Sequence, residues 1–260
     1  MQYVNPKKSL GQHFLKDENI ARKIVDSLSG KTTNIIEIGP GMGVLSKYLL
    51  SNPEYNIHFI ETDVESVTYL KNNFANIKGK ITEADFLKYD LHKIFDSSFS
   101  IIGNFPYNIS SQIFFKILDY NKQIPEVVGM IQKEVAERIA SPPGNKKYGI
   151  LSVLLQAFYN IEYLFTVSNN VFSPPPKVQS AVIRLVRNET KNLNCNEKLF
   201  FRVVKTAFNQ RRKKLRNALS PLHENKQDFS DELFNKRAEQ LSVVDFVKLT
   251  NIIGELLEKP

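Results

Sequence analysis

The sequence predicts an α/β protein, a doubly wound domain followed by a stretch that is helical throughout. Three observations carry that prediction. Residues 34–38 form a short, mostly apolar strand pattern that runs into Gly39-Pro40-Gly41-Met42-Gly43 and then a helix, which is how a doubly wound domain opens. Strand and helix patterns then alternate as far as about Val186. Beyond Asn196 only helical patterns remain.

Taken in order, residues 1–16 read as an extended arm whose distinctive piece is Gly11-Gln12-His13-Phe14-Leu15. Asp17 is placed to cap a helix carrying Ile20, Ile24, Val25 and Leu28 on one face and ending near Gly30. After the strand at 34–38 and the glycine turn, a helix over 44–50 leads to a strand at 56–60 that ends on Glu61. A helix over 65–74 precedes a strand at 80–83, which ends near Asp85. The apolar run Ile101-Ile102-Gly103 is the fourth strand, closed by Asn104-Phe105-Pro106-Tyr107. Helices over 110–118 and 133–140 flank a fifth strand at 126–131. A helix over 148–159 and strands at 161–167 and 179–186 follow, the last two separated by the stiff Phe172-Ser173-Pro174-Pro175-Pro176. The polar stretch 188–196 is the expected linker, so the expected domains are 1–188 and 189–260. The second carries helices over 198–219, 231–240 and 243–257.

Composition narrows the class of protein. Hydrophobic residues make up 42% of 260, ample for a core, and no run is long enough to span a bilayer. Residues 1–16 are polar and basic, which predicts no signal peptide. One cysteine excludes a disulfide framework and suits a cytoplasmic protein. Four scattered histidines predict no metal site. The net charge of +8 is concentrated, because residues 198–223 hold eight Lys or Arg and no acid. A polyanionic partner, nucleic acid, is the reading that follows.

The candidate site lies at the carboxyl ends of strands, where open α/β sheets bind ligands. Gly39, Glu61, Asp85 and Asn104 each fall at such an end in four successive strands. The glycines recur at alternate positions, but Val44 stands where a dinucleotide fingerprint needs its third glycine. Glu37, two residues before the turn, would repel a diphosphate. A cationic nucleoside suits that environment, and S-adenosylmethionine is the candidate. Glu61, 22 positions after Gly39, is placed to accept from ribose hydroxyls, and Asp85 from the cofactor's adenine amino group. Asn104 adds an amide oxygen; Pro106 offers no N–H and holds Phe105 extended, so the corner presents acceptors beside the aromatic faces of Phe105 and Tyr107. Acceptors beside aromatics suit a planar ring with an exocyclic amino group.

With these residues in view, the chain resembles the ribosomal RNA adenine N6,N6-dimethyltransferases over essentially its whole length. The matching pieces are Gly11-Gln12-His13-Phe14-Leu15, Glu37-Ile38-Gly39-Pro40-Gly41, Gly103-Asn104-Phe105-Pro106-Tyr107-Asn108-Ile109-Ser110, Gln132-Lys133-Glu134-Val135, Phe172-Ser173-Pro174-Pro175-Pro176-Lys177-Val178 and Phe208-Asn209-Gln210-Arg211-Arg212-Lys213. The resemblance implies a class I methyltransferase fold, Rossmann-like with a seven-stranded, mostly parallel sheet, and a small all-α C-terminal domain. It implies S-adenosylmethionine as cofactor, held by His13, Leu15, Gly39, Glu61, Asp85 and Asn104. His13 stands where the family's arm usually has Asn, and Phe105 where Leu is common.

The target it implies is two adjacent adenines near the 3′ end of 16S rRNA, within the small subunit or its precursor. On this reading the Asn104 side-chain oxygen and the Phe105 carbonyl accept from the adenine amino group, with Pro106 stiffening the corner. Tyr107 stacks on the extruded base and Phe172 closes its other face. No metal is required. Arg211, Arg212, Lys213, Lys214 and Arg216 are the expected RNA contacts, and a monomer is the expected state. Two other readings stand beside it: a large-subunit rRNA adenine dimethylase, and an RNA-binding small-subunit assembly factor with methylation secondary.

Overall fold

The computed structural model describes residues 4–223 and 225–258. Its contacts divide the chain into two compact units, one made of 1–136 with 161–187, the other of 137–160 with 188–260.

The first unit is built on parallel strands. A two-residue strand, β1 (Phe14–Leu15), is followed by α1 (Glu18–Val25), β2 (Asn34–Ile38), α2 (Ser46–Ser51), β3 (Asn56–Glu61), α3 (Val64–Asn73), β4 (Ile81–Glu83), β5 (Ser100–Asn104), α4 (Ser110–Asp119) and β6 (Glu126–Gln132). The chain continues through α5 (Lys133–Ile139), α6 (Ile150–Gln156), β7 (Tyr159–Val167), β8 (Phe172–Ser173) and β9 (Ser180–Arg187). Seven strands form one sheet in the order β4-β3-β2-β5-β6-β9-β7. β2 pairs in parallel with β3 and β5, β5 in parallel with β6, and β9 runs antiparallel to β6. Strands covered on both faces need near-continuous apolar runs. Thus Ile35, Ile36 and Ile38 in β2 and Val127, Val128, Met130 and Ile131 in β6 are all 3% exposed or less.

That strand order has a consequence for binding. Strands laid down after β2 proceed in one direction through β3 and β4, and the chain then returns to place β5 on the other side of β2. The crevice above β2 and β5 is the switch point where such sheets bind ligands. Gly39 and Asn104 close the two strands that flank it.

The helix starts follow local chemistry. Asp17 Oδ1 accepts from the backbone N–H groups of Asn19 and Ile20 at 2.9 and 3.0 Å, capping α1 as its position predicts. The arm is less extended than expected, with a short 3-10 turn at Lys8–Leu10 before β1 pairs antiparallel with β8.

In the second unit, α6 buries Leu151, Val153, Leu154 and Leu155. Around it the edge of the Tyr148 ring meets Phe208 at 6.3 Å, and Phe208 stacks on Phe246 at 6.0 Å. Those aromatic contacts put residues 137–160 with the C-terminal helices, whereas the sequence places the seam between 188 and 189 alone. Its helices are α7 (Glu197–Asn209), α8 (Leu215–Ala218) and α9 (Val243–Glu258). Two expected helices are corrected. The one over 198–219 breaks at 210–214, where five consecutive polar or charged side chains leave no apolar stripe to bury. The one over 231–240 is two 3-10 turns, Glu232–Asn235 and Ala238–Gln240, because the Lys236 carbonyl between them accepts from the Leu215 N–H at 2.8 Å. The helix over 148–159 is shorter than expected, and Tyr159 opens β7 instead.

Candidate active site

The switch point holds a small cavity of about 60 Å³. Leu10 to Phe14 of the arm, Gly39 and Gly41 of the glycine turn, Glu61 and Thr62 beyond β3, and Asn104 to Tyr107 beyond β5 line it. Four separated stretches of sequence therefore converge on one point.

Each wall has a physical reason. Gly41 has φ 57°, and a Cβ there would lie 2.9 Å from the Phe14 ring, so only glycine lets the arm rest on the turn. Glu61 is 4% exposed. One carboxylate oxygen accepts from the N–H groups of Thr62 and Asp63 at 2.8 and 2.9 Å, and the other from Gly41 at 3.0 Å. Burial pushes this carboxyl upwards against the pull of those donors. Glu37, 1% exposed beneath the turn, accepts from the Ser46 hydroxyl at 2.7 Å. Burial, with Glu61 nearby, pushes its carboxyl up to about 8.

At the corner beyond β5, Phe105 is fully buried and its N–H donates to the Met130 carbonyl at 3.0 Å. Its ring packs edge-on to Phe114, so this residue offers the cavity its backbone, not its face. Tyr107 is half-buried, with its hydroxyl bonded to that of Ser180. The imidazole of His13 stacks on the Tyr107 ring at 5.3 Å with 28° between planes. His13 Nδ1 lies 2.8 Å from the Pro174 carbonyl, and since a carbonyl only accepts, Nδ1 carries the proton. Asn104 donates through Nδ2 to the His13 carbonyl at 2.9 Å. Its Oδ1 is buried with no hydrogen-bond partner among the described residues. A buried acceptor left unmatched is costly and marks a place where a donor is expected.

Of the residues expected from the sequence, His13, Gly39, Glu61, Asn104, Phe105, Pro106 and Tyr107 meet at this cavity. Three others do not line it. Leu15 is 5% exposed in the core, opposite Phe172 across the β1–β8 pair. Phe172 is 1% exposed, packed in the same core cluster. Asp85 turns outward, accepting from the Leu87 N–H at 2.9 Å and lying 3.8 Å from Lys88. The cation set in the second unit also divides. Arg211 donates to the Lys146 carbonyl at 2.5 Å and sits 3.9 Å from Glu239, while Arg212, Lys213 and Lys214 are exposed. Arg216 is half-buried, and its Nε has no partner among the described residues.

Sequence reasoning took Lys7 only as part of a basic arm and missed Asp63, Ser180 and the Pro174 carbonyl; together these hold the arm and Tyr107 in place. No local signal marks them, because their partners lie 56 or more residues away.

Comparison with known proteins extends this picture. The model of a family described as "Ribosomal RNA adenine dimethylase" matches residues 4–255. The chain is 58% identical over 261 residues to a "Ribosomal RNA small subunit methyltransferase A" of Parabacteroides distasonis, covering 100% of this chain and 98% of that one. A protein of the same name from Flavobacterium johnsoniae is 58% identical over 97% of each chain. Among solved structures, a dimethyladenosine transferase from Plasmodium falciparum superposes with a TM-score of 0.76 at 24% identity, over 93% of this chain and 98% of that one. The 23S rRNA methyltransferase ErmE superposes at 0.66 and 20% identity, over 93% and 99%. At those identities the two structures speak for the fold alone.

Proposed function

Because this chain belongs to the ribosomal RNA adenine dimethylase family, we propose that it dimethylates the N6 amino groups of two adjacent adenines in the 3′-terminal hairpin loop of 16S rRNA. It is an S-adenosylmethionine-dependent rRNA adenine methyltransferase, and its expected setting is a monomer in the cytoplasm acting on the small subunit or its precursor. The observation that carries the reading is the Asn104 oxygen, buried and unmatched, at the same cavity as Glu61 and the glycine turn.

The residues present suit the cofactor. Glu61 offers acceptor capacity for ribose hydroxyls, and Gly39 and Gly41 allow close backbone approach; Glu37, which burial keeps protonated at neutral pH, adds no charge to the site. Asp85 is assigned to the cofactor's adenine and needs its side chain turned inward from Lys88. When bound, S-adenosylmethionine supplies an electrophilic methyl group on a sulfonium.

The chain's own contribution is to the acceptor nitrogen. An adenine N6 lone pair is delocalised into the ring and is a poor nucleophile. Accepting its hydrogens at Asn104 Oδ1 and the Phe105 carbonyl localises that pair and orients it. Tyr107 offers its ring to the base, a contact worth about 1–3 kcal/mol. Phe172, assigned to the other face of the base, is buried in the core opposite Leu15, so that role needs its ring to leave the core.

The test is to supply the purified chain with labelled methyl donor and small subunits lacking the modification, then digest the RNA and identify the modified nucleoside and its position. Dimethyladenosine at two adjacent positions of the 3′-terminal hairpin is expected. Label on large-subunit rRNA would favour the macrolide-resistance type of dimethylase. Binding without transfer would favour an assembly factor.

A further inference from the structure

The arm meets the reaction corner through the hydrogen bond from Asn104 Nδ2 to the His13 carbonyl. That bond is directional. Only the NH₂ half of an amide can face a carbonyl, and the amide is planar, so Oδ1 must point the other way. What the arm fixes is therefore the acceptor side of Asn104, the atom left buried and unmatched.

The arm is in turn held upstream of His13. Lys7 Nζ lies 2.5 Å from Asp63 Oδ1 and 3.1 Å from Glu65 Oε1. Gln12 closes the ring, donating to Asp63 Oδ2 at 3.3 Å and accepting from the Lys7 N–H at 2.8 Å. Asp63 is a rigid post: it is 2% exposed, stands at the start of α3 and accepts from the Ser66 hydroxyl at 2.8 Å.

We propose that Lys7 is a positioning residue for methyl transfer: clamped on Asp63 and Glu65, it seats residues 7–13 so that the His13 carbonyl keeps the Asn104 oxygen presented as an acceptor. The proposal rests on the reading of Asn104 given above. Burial raises the Asp63 carboxyl, but Lys7, Ser66 and Gln12 hold it below the usual carboxylate range, and Lys7 is raised in return, so the clamp stays charged at neutral pH. The pair is partly exposed at the ammonium and buried at the Asp63 carboxylate, which gives the arm a fixed, charged anchor.

The experiment uses the full chain and has a readout that needs no substrate. In ¹⁵N-labelled protein, the Asn104 side-chain NH₂ is assigned by its loss in Asn104→Asp, and its exchange with solvent is measured. Lys7→Ala is expected to speed that exchange about tenfold and to lower kcat about ten- to a hundredfold, with KM for RNA within about twofold. Lys7→Arg restores both, and Glu65→Gln shifts both by a smaller factor. Should Lys7→Ala fail to fold, Glu65→Gln at an exposed position carries the test. An unchanged kcat in Lys7→Ala overturns the proposal. So does a lowered kcat with wild-type exchange at Asn104. If the wild-type chain methylates nothing, the functional reading fails, while the exchange measurement still reports on the clamp.

Discussion

At the scale of single residues, the two side chains that matter most are both buried acceptors. Asn104→Ala removes the amide oxygen without disturbing the Phe105 backbone bond to Met130. Methyl transfer should fall by about 100-fold or more, with rRNA binding within a few-fold. Single-turnover transfer and a binding titration separate the two, and wild-type transfer would remove Asn104 from the mechanism. Glu37 makes a prediction about pH. Its carboxyl ordinarily titrates at 4.5 and is pushed to about 8 in the fold. The folded chain thus keeps a proton that the unfolded chain has lost between those values, and stability falls as pH rises through that window. Glu37→Gln, which stays neutral, should stabilise the protein by about 2–4 kcal/mol at pH 9 and little at pH 5. Thermal melts at the two pH values measure the difference, and equal shifts would mean Glu37 is not held neutral. Gly39, Glu61 and Asn104 were legible in the sequence because strand ends in an open sheet converge by topology alone. Phe172 was not, since an aromatic beside a triple proline reads the same whether its ring faces a ligand or the core.

At the scale of elements, the strands were legible almost to the residue and the basic helix was not. Parallel strands announce themselves by short apolar runs closed by turn residues, as in Ile35-Ile36 before Gly39-Pro40. A basic run carries no such mark. The break at 210–214 follows from five consecutive polar side chains that leave no apolar stripe to bury, and charge alone does not show that Arg211 is engaged by the Lys146 carbonyl, 65 residues away. The corner beyond β5 depends on its neighbours too. Phe105 lies across β5 and β6, and a Cβ on Gly129 would come within 2.6 Å of its ring. Gly129→Ala must therefore push Phe105 aside and move the carbonyl assigned to the amino group. A loss of about 1–3 kcal/mol in stability is expected, with a fall in kcat at saturating cofactor. An unchanged melting temperature and rate would show that the corner tolerates displacement of that ring.

At the scale of the whole molecule, charge decides what the fold alone leaves open. The net +8 is gathered in 198–223, but the structure sorts those cations by availability. Arg211 is engaged with the Lys146 carbonyl and near Glu239, and Arg216 is half-buried. Arg212, Lys213 and Lys214 stand exposed in the turn between α7 and α8, a non-helical segment that releases consecutive side chains from the constraint of one helix face. Charge reversal should therefore be aimed at Arg212 and Lys213. Each phosphate contact in a single-stranded region contributes about 0.7 to the slope of log K against log salt. Losing two such contacts should flatten the slope by about 1.4 and weaken binding most at low salt. Methyl transfer at saturating RNA should persist, because neither residue lines the cavity. Arg211→Ala is the contrasting case: it should lower the melting temperature, as the Lys146 carbonyl loses its donor, and change the salt slope less. If reversing Arg212 and Lys213 left the slope untouched, the RNA would have to be gripped elsewhere, and the basic turn would be a solvated surface.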